Sequence, residues 1–202
     1  MIKLDIDTIQ LFKGDISEDK CICFYGEREF TWNILYKQDL SAIRSYDFYQ
    51  IINPANSQLI QNLYIFNFIV DALIFYRSKH ESFFQNSLIV ILDHQTKSEV
   101  AQILRKRFND FKGKAPKLHF YHRNEKADLF LFYLEMLGLQ LDYKIEYNSN
   151  DLLLHIKHKS LSLSLSFREL NRLRFFLGIN DKTFRIKNTV LSLADTKQII
   201  NW

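Results

Sequence analysis

The sequence has few of the residues that break, cross-link or disorder a chain. Only 5 of its 202 residues are glycine, 2 are proline and 2 are cysteine. No glycine-, proline- or serine-rich stretch marks a linker between two domains. Because 47% of the residues are hydrophobic and 25% are charged, the composition excludes a disordered or collagen-like chain. We therefore expect a single compact unit over residues 1–202.

The scarcity of cysteine also excludes a disulfide scaffold. Cys21 and Cys23 are two residues apart in a strand-like segment, so they lie on one face and cannot form an unstrained bridge. We expect reduced thiols that pack as small apolar groups. Residues 1–12 lack the basic and then apolar pattern of a secretory signal, and no apolar run is long enough to cross a bilayer. We expect a cytoplasmic protein with no membrane partner and no cofactor.

The charge balance is only mildly basic. Lys and Arg number 27 and Asp and Glu number 23, which gives a net charge of +4, and this excess alone does not establish a nucleic-acid partner. Basic residues nevertheless cluster in two places, near the end of a predicted helix and near the last strands. If both groups lie on one face, they form a stripe that contacts phosphate; the alternative is a solvated surface balanced by nearby acids. The residues are Arg105, Lys106, Arg107, Lys157, Lys159, Arg168 and Arg172.

The middle of the chain, residues 56–140, alternates short apolar runs with stretches of helical period. Each apolar run is followed by a segment in which apolar residues recur every three to four positions. Runs that feed helices of this length favour parallel βαβ units. The predicted strands and helices are, in order, 63–66, 68–78, 88–92, 97–108, 118–121 and 125–137.

The flanking segments have the period of two that is typical of strands. Residues 1–55 are predicted to be β-rich, and residues 141–202 to form an antiparallel meander followed by helices. In the last meander strand, 160–167, serine alternates with leucine or phenylalanine, which predicts one buried and one polar face. The finer predictions are strands at 20–25, 30–36, 48–52 and 184–187, and helices at 168–177 and from 192 onwards.

Polar residues follow each predicted parallel strand. Asn67 follows the first, Asp93 the second, and His122, Arg123 and Asn124 the third. Ligands of open parallel sheets bind at the carboxyl ends of the strands. We therefore expect Asn67, Asp93 and Asn124 to line a strand-end cleft, beside which His122 and Arg123 attract phosphate.

This order of strands, helices and polar loops, with Asp71-Ala72-Leu73 in the first helix, resembles the topoisomerase/primase (Toprim) catalytic domain. The resemblance covers residues 62–139 and is closest to divergent Toprim domains of bacterial mobile-element proteins. It implies a Toprim/Rossmann-like parallel βαβ core. With the flanking segments, the predicted fold class is α/β, with this core between an N-terminal β-rich segment and a C-terminal antiparallel meander with helices. The resemblance also implies association with DNA or RNA.

The acids that hold magnesium in the resembled family are replaced here. Asn67 stands where the family has glutamate, and His122-Arg123-Asn124 stands where it has an Asp-x-Asp motif. Magnesium requires anionic oxygen ligands to assist phosphoryl transfer. We therefore expect no catalytic residues and no metal at this edge.

A second alignment keeps one acid. It places Asn53 at the glutamate position and Asp93 in the acidic pair, so that Asp93 with Glu125 or Asp128 could hold one metal ion. A single acid after a strand is more often a helix cap or a loop acceptor. The histidine pairs 119/122 and 155/158 are three residues apart in strands, face opposite ways and make poor metal clamps.

Three functional hypotheses follow. The first is a catalytically degenerate, non-enzymatic Toprim-like accessory protein that associates with nucleic acid through the basic residues given above, His122 and Arg123. The second is an interaction or self-association module that pairs through the edge strand 160–167. The third is a metal-dependent nuclease with a rearranged acidic site at Asp93. The sequence contains no phosphate-binding P-loop, dinucleotide-binding loop or nucleophile elbow.

Overall fold

The fold is described from a computed structural model of the chain. The residues that the structure describes are 2–18, 21–36, 42–93, 95–109, 116–122, 132–136, 143–148, 151–156, 159–164, 186–190 and 200–201. Its strands are β1 (Ile2–Lys3), β2 (Gly14–Ile16), β3 (Cys21–Tyr25), β4 (Trp32–Tyr36), β5 (Ala42–Arg44), β6 (Tyr49–Ile52), β7 (Asn62–Phe66), β8 (Ser87–Leu92), β9 (Lys117–His122), β10 (Tyr143–Asn148), β11 (Asp151–Ile156), β12 (Lys159–Ser164), β13 (Ile186–Val190) and β14 (Ile200–Asn201). The α-helices are α1 (Ile6–Leu11), α2 (Ile69–Arg77) and α3 (Lys97–Asn109), with a 3-10 helix at Glu81–Phe84 and further helical residues at 132–136.

The central sheet has the strand order β13-β9-β7-β8-β6. Its first four strands are parallel, and β6 runs antiparallel to β8 at the edge. All six residues of β8 are buried, as expected of a strand covered on both faces. The predicted α/β fold with parallel strands is therefore confirmed.

Helices cover both faces of this sheet. The face that carries Tyr64 and Phe66 of β7 belongs to the same buried cluster as Leu73 of α2. The opposite face, with Leu63 and Ile65, belongs to the cluster that contains α3. Because β8 and β9 flank β7 on its two sides, the chain changes direction across the sheet at β7. This change creates a crevice at the carboxyl ends of the strands.

Two strands of the central sheet come from segments where the sequence suggested other sheets. β6 was expected in the N-terminal β-rich segment, and β13 replaces the strand predicted at 184–187 and pairs with β9 in parallel. β6 buries Gln50, whose side-chain amide donates hydrogen bonds to the carbonyl oxygens of Phe12 (2.8 Å) and Tyr25 (2.6 Å). These bonds tie the central sheet to the N-terminal segment.

The N-terminal segment forms an antiparallel sheet in the order β2-β3-β4-β5, which confirms its predicted β-rich character. Phe24 and Leu35 of this sheet pack in the same cluster as Ile69 of α2, and both cysteines are free. Helix α1 was not predicted; Asp5 caps it by accepting a hydrogen bond from the Thr8 backbone N–H (2.8 Å).

One strand of this sheet begins later than the sequence suggested. The strand predicted from residue 30 begins at Trp32 instead. Phe30 has a φ of 62° and therefore belongs to a turn.

The C-terminal meander is the three-stranded sheet β10-β11-β12. Its register sets Leu152 opposite Leu163, Leu154 opposite Leu161, and Leu153 opposite Ser162, so the predicted antiparallel meander is confirmed. The helix predicted at 168–177 and the end of the strand at 165–167 lie outside the described residues. The helix predicted from 192 onwards does not reach 200–201, which pair with β1 as a strand.

An aromatic cluster fills the space between the central sheet and α2. The Tyr64 ring contacts the rings of Phe75 and His119, with centroids 4.9 and 4.7 Å apart. Burial raises the pKa of Tyr64 to about 12, so the phenol is uncharged at neutral pH. These rings are core packing. No helix within the described ranges combines the length and the apolar character that a bilayer crossing requires.

Candidate strand-end cleft

The predicted cleft residues follow neighbouring parallel strands, at the carboxyl ends of the strands of the central sheet. Phe66, the last residue of β7, is level with Ile91 of β8 and with Tyr121 of β9. Asn67 therefore follows the middle strand of the three, Asp93 follows β8, and His122 ends β9. The structure brings these three residues to the same edge, as the strand-end rule predicts. Arg123 and Asn124 lie outside the described residues.

An arginine from the other sheet joins two of the cleft residues. Arg44, at the end of β5, donates through Nη1 to the Asn67 carbonyl oxygen (2.8 Å) and through Nη2 to Oδ1 of Asp93 (3.1 Å). Its guanidinium carbon also lies 5.7 Å from the centre of the Phe68 ring. The side chains of Arg44 and Asp93 are 29% and 15% exposed, so the ion pair is partly shielded from water. Arg44 thus ties the N-terminal sheet to the strand-end cleft.

No pattern in the sequence pointed to Arg44. The residue lies in a three-residue strand, 49 positions before Asp93, and belongs to no motif. Only the packing of one sheet against the edge of another brings it to the cleft. A basic residue in a short edge strand is ordinarily assigned to a solvated surface.

The loop after β8 holds Asp93 in place. Its backbone N–H donates to Oγ1 of Thr96 (3.0 Å), and the Thr96 hydroxyl donates to the Asp93 carbonyl oxygen (3.2 Å). Thr96 also accepts a hydrogen bond at its carbonyl oxygen from Val100 in α3. The loop is thereby fixed to the start of the helix while the Asp93 carboxylate accepts from Arg44.

Two buried amide oxygens lie near this ion pair without a hydrogen-bond donor. They are the Oδ1 atoms of Asn33 and Asn67, residues that are 2% and 7% exposed. Asn33 is the cross-strand partner of Arg44 in the register of β4 and β5, so both side chains lie on the same face of the N-terminal sheet. A buried acceptor without a donor destabilises a fold by about 1–3 kcal/mol.

Few acidic residues lie at the carboxyl ends of the strands, and one of them is neutralised. Asp93 is paired with Arg44, and Asp71 is buried in the first turn of α2, where the helix dipole favours a negative charge. Asn53 of the alternative alignment follows β6, which runs antiparallel to β8, so it lies at the opposite edge of the sheet. Among the described residues, no three His, Cys, Asp or Glu side chains are grouped to hold a metal ion. Glu125 and Asp128 lie outside the described residues.

The first basic group does not adjoin the cleft. Arg105, Lys106 and Arg107 occupy the end of α3, which runs from the carboxyl end of β8 back towards the start of β9. At 1.5 Å per residue, α3 separates them from the cleft by roughly 12–15 Å. Lys117 is the first residue of β9 and lies at the amino ends of the strands, towards which α3 runs; we call these four residues the basic edge. Lys159 begins β12, and Lys157, Arg168 and Arg172 lie outside the described residues.

His119 and His155 each have a structural partner. A ring nitrogen of His119 lies 3.0 Å from Oδ1 of Asn62, and Nε2 of His155 lies 3.4 Å from a carboxylate oxygen of Glu146. Each contact joins neighbouring strands. His158 lies outside the described residues.

Comparisons with models of protein families, with curated proteins and with solved structures each find no match. The Toprim resemblance therefore stays a prediction, and function has to be inferred from the residues of the cleft and of the basic edge.

Proposed function

We propose that this protein is a non-catalytic, nucleic-acid-associated α/β domain, a divergent Toprim-like accessory protein. The observation that carries the proposal is the Arg44 guanidinium, which bridges Asn67 and Asp93 at the carboxyl edge of the parallel strands. In the resembled family this edge carries the acids that hold magnesium. Here a fixed organic cation neutralises the one strand-end acid that is kept.

A guanidinium cannot replace magnesium in catalysis. Magnesium neutralises charge on a transferring phosphoryl group and orients its oxygens through open coordination positions. Arg44 offers only N–H donors, and two of its donor atoms are already engaged. The carboxylate of Asp93 accepts from Arg44 and is held at 15% exposure. These contacts support binding or structural roles for the edge over phosphoryl transfer.

The nucleic-acid part of the proposal rests on the basic edge, defined by Arg105, Lys106, Arg107 and Lys117. Lys106 and Lys117 are exposed, and both arginines are half-buried. Cations at a helix C-terminus also complement the helix dipole. The three basic residues of α3 could therefore serve to stabilise the helix instead of contacting phosphate. Lys117 belongs to a strand and has no such role. A cluster that spans two elements is the arrangement expected for phosphate contacts.

The triple variant Arg105→Gln, Lys106→Gln, Arg107→Gln tests this proposal. We expect its affinity for single-stranded and duplex DNA at 50 mM salt to fall by roughly tenfold or more, and the slope of log affinity against log salt to become shallower by about 2. Fluorescence anisotropy at 50 and 200 mM salt measures both quantities.

The matched control is Lys13→Gln, Lys20→Gln, Lys37→Gln, which removes the same charge from the N-terminal segment. An equal loss of affinity in both triple variants would show that net charge, rather than the basic edge, determines binding. Wild-type binding no tighter than that of a neutral protein would remove the nucleic-acid part of the proposal.

The second candidate is an interaction module, and one observation favours it. β12 pairs with β11 on one side and, within the described part of the chain, lies at the edge of its sheet. An edge strand can add a strand from another chain. A dimer in sedimentation experiments that Ser162→Pro dissociates would favour this function, because proline cannot donate to a ladder. A strict monomer with intact DNA binding favours the first.

A further inference from the structure

The two unpartnered amide oxygens belong to residues that adjoin Arg44. Asn33 is the cross-strand neighbour of Arg44 in the N-terminal sheet, and Asn67 supplies the carbonyl oxygen to which Arg44 donates. Both Oδ1 atoms are buried and accept no hydrogen bond. Unsatisfied buried groups of this kind are uncommon in folded proteins and are found at sites that a water or a ligand fills. Two such oxygens beside one ion pair therefore indicate a site at which a bound molecule supplies the hydrogen-bond donors.

The charges around the cleft restrict what can supply those donors. Arg44 and Asp93 neutralise each other, so the pair gives no net attraction for an anion. For the same reason the pair gives no net attraction for a metal ion or an ammonium group. A hydroxyl group is neutral, donates to an amide oxygen and accepts from a guanidinium. The Phe68 ring beside Arg44 adds an apolar wall for the carbon atoms that carry such hydroxyls.

We propose that the strand-end cleft binds a neutral ligand rich in hydroxyl groups, either a free sugar or the ribose of a nucleoside. Its hydroxyls donate to Oδ1 of Asn67 and of Asn33 and accept from Arg44. Entry requires a local opening, because both oxygens are covered.

Isothermal titration calorimetry on the full chain tests the proposal with four probes. They are D-ribose, D-glucose, adenosine and 2′,3′-dideoxyadenosine. Saturable binding of ribose or glucose supports a free sugar, and binding of adenosine but not of the free sugars supports a nucleoside. Where adenosine binds, dideoxyadenosine, which lacks the vicinal hydroxyls, is expected to bind roughly tenfold more weakly or not at all.

Two variants with opposite expectations separate binding from folding. Asn67→Leu removes an oxygen that has no partner, so we expect unchanged or higher stability and a loss of ligand affinity of roughly tenfold or more. Asn53 forms two hydrogen bonds with the Ser57 backbone at the opposite edge of the sheet. Asn53→Leu is expected to lower stability and leave ligand affinity unchanged.

Three results would overturn the proposal. They are no saturable binding of any probe, equal binding of adenosine and its dideoxy analogue, and unchanged affinity in Asn67→Leu. The first would leave buried water as the sole donor to these oxygens. If Asn67→Leu does not fold, Asn33→Leu repeats the test from the N-terminal sheet with the same expectations. DNA binding through the basic edge is measured separately, so either proposal can fail without the other.

Discussion

Replacing Phe66 with alanine is expected to lower the free energy of unfolding by about 4 kcal/mol. Phe66 is fully buried at the end of β7, the middle strand of the central sheet. Its ring contacts Phe75 of α2 (centroids 5.3 Å apart) and Tyr121 of β9 (5.0 Å). Alanine would leave a cavity between the sheet and the helix, in addition to the lost transfer free energy of the ring.

Urea unfolding followed by circular dichroism measures this effect. The control is Tyr46→Ala, since Tyr46 is an aromatic residue that is 81% exposed and its loss should change stability by no more than about 0.5 kcal/mol. A loss below about 1 kcal/mol for Phe66→Ala would contradict the position of β7 between β8 and β9, and with it the position of the cleft.

Replacing Arg44 with alanine is expected to cost about 2 kcal/mol. The change removes the donor to the Asn67 carbonyl oxygen and the counter-ion of Asp93, whose carboxylate is 15% exposed. Loss of one partner from a shielded pair costs more than the pair itself contributes, because the remaining charge stays partly desolvated. Lysine at this position would keep the charge but could not reach both acceptors with a planar fork, so Arg44→Lys should recover only part of the stability.

The control for this variant is Arg28→Ala. Arg28 also makes two ion pairs, with Glu99 and Asp47, but its side chain is 43% exposed. Exposed pairs contribute little to stability, so the loss should be clearly smaller than for Arg44→Ala. Equal losses in both variants would show that Arg44 is a surface ion pair and does not secure the N-terminal sheet to the cleft.

The parallel core could be predicted closely from the sequence. The predicted strands 63–66, 88–92 and 118–121 each differ from β7, β8 and β9 by one residue at one or both ends. Strands that are buried on both faces read as continuous apolar runs, and the helices between them carry a clear period.

The strands at the two edges could not be predicted in this way. The pairing of β6 with β8 and of β13 with β9 joins segments that are distant in the sequence. Local pattern carries no information about such partners. Both segments read as strands, but their sheet is decided by packing that involves the whole chain.

The candidate site, like the fold, could be predicted only in part. Asn67 and Asp93 are found by the rule that ligands bind at strand ends, because the rule needs only the ends of the strands. Arg44 and Asn33 reach the cleft from a different sheet, and no spacing in the sequence relates them to Asp93. The separation of the basic edge from the cleft likewise depends on the direction of α3.

Arg44 neutralises Asp93 at the carboxyl ends of the parallel strands, where the proposed Toprim-like relationship would place a metal ion. Titration of the full chain with Mn²⁺, followed by electron paramagnetic resonance, tests this claim most directly, with Asp93→Asn as the comparison. We expect no saturable Mn²⁺ binding at millimolar concentrations, and identical titrations for the wild type and Asp93→Asn. A saturable site in the wild type that Asp93→Asn abolishes would contradict the claim and favour a metal-dependent nuclease.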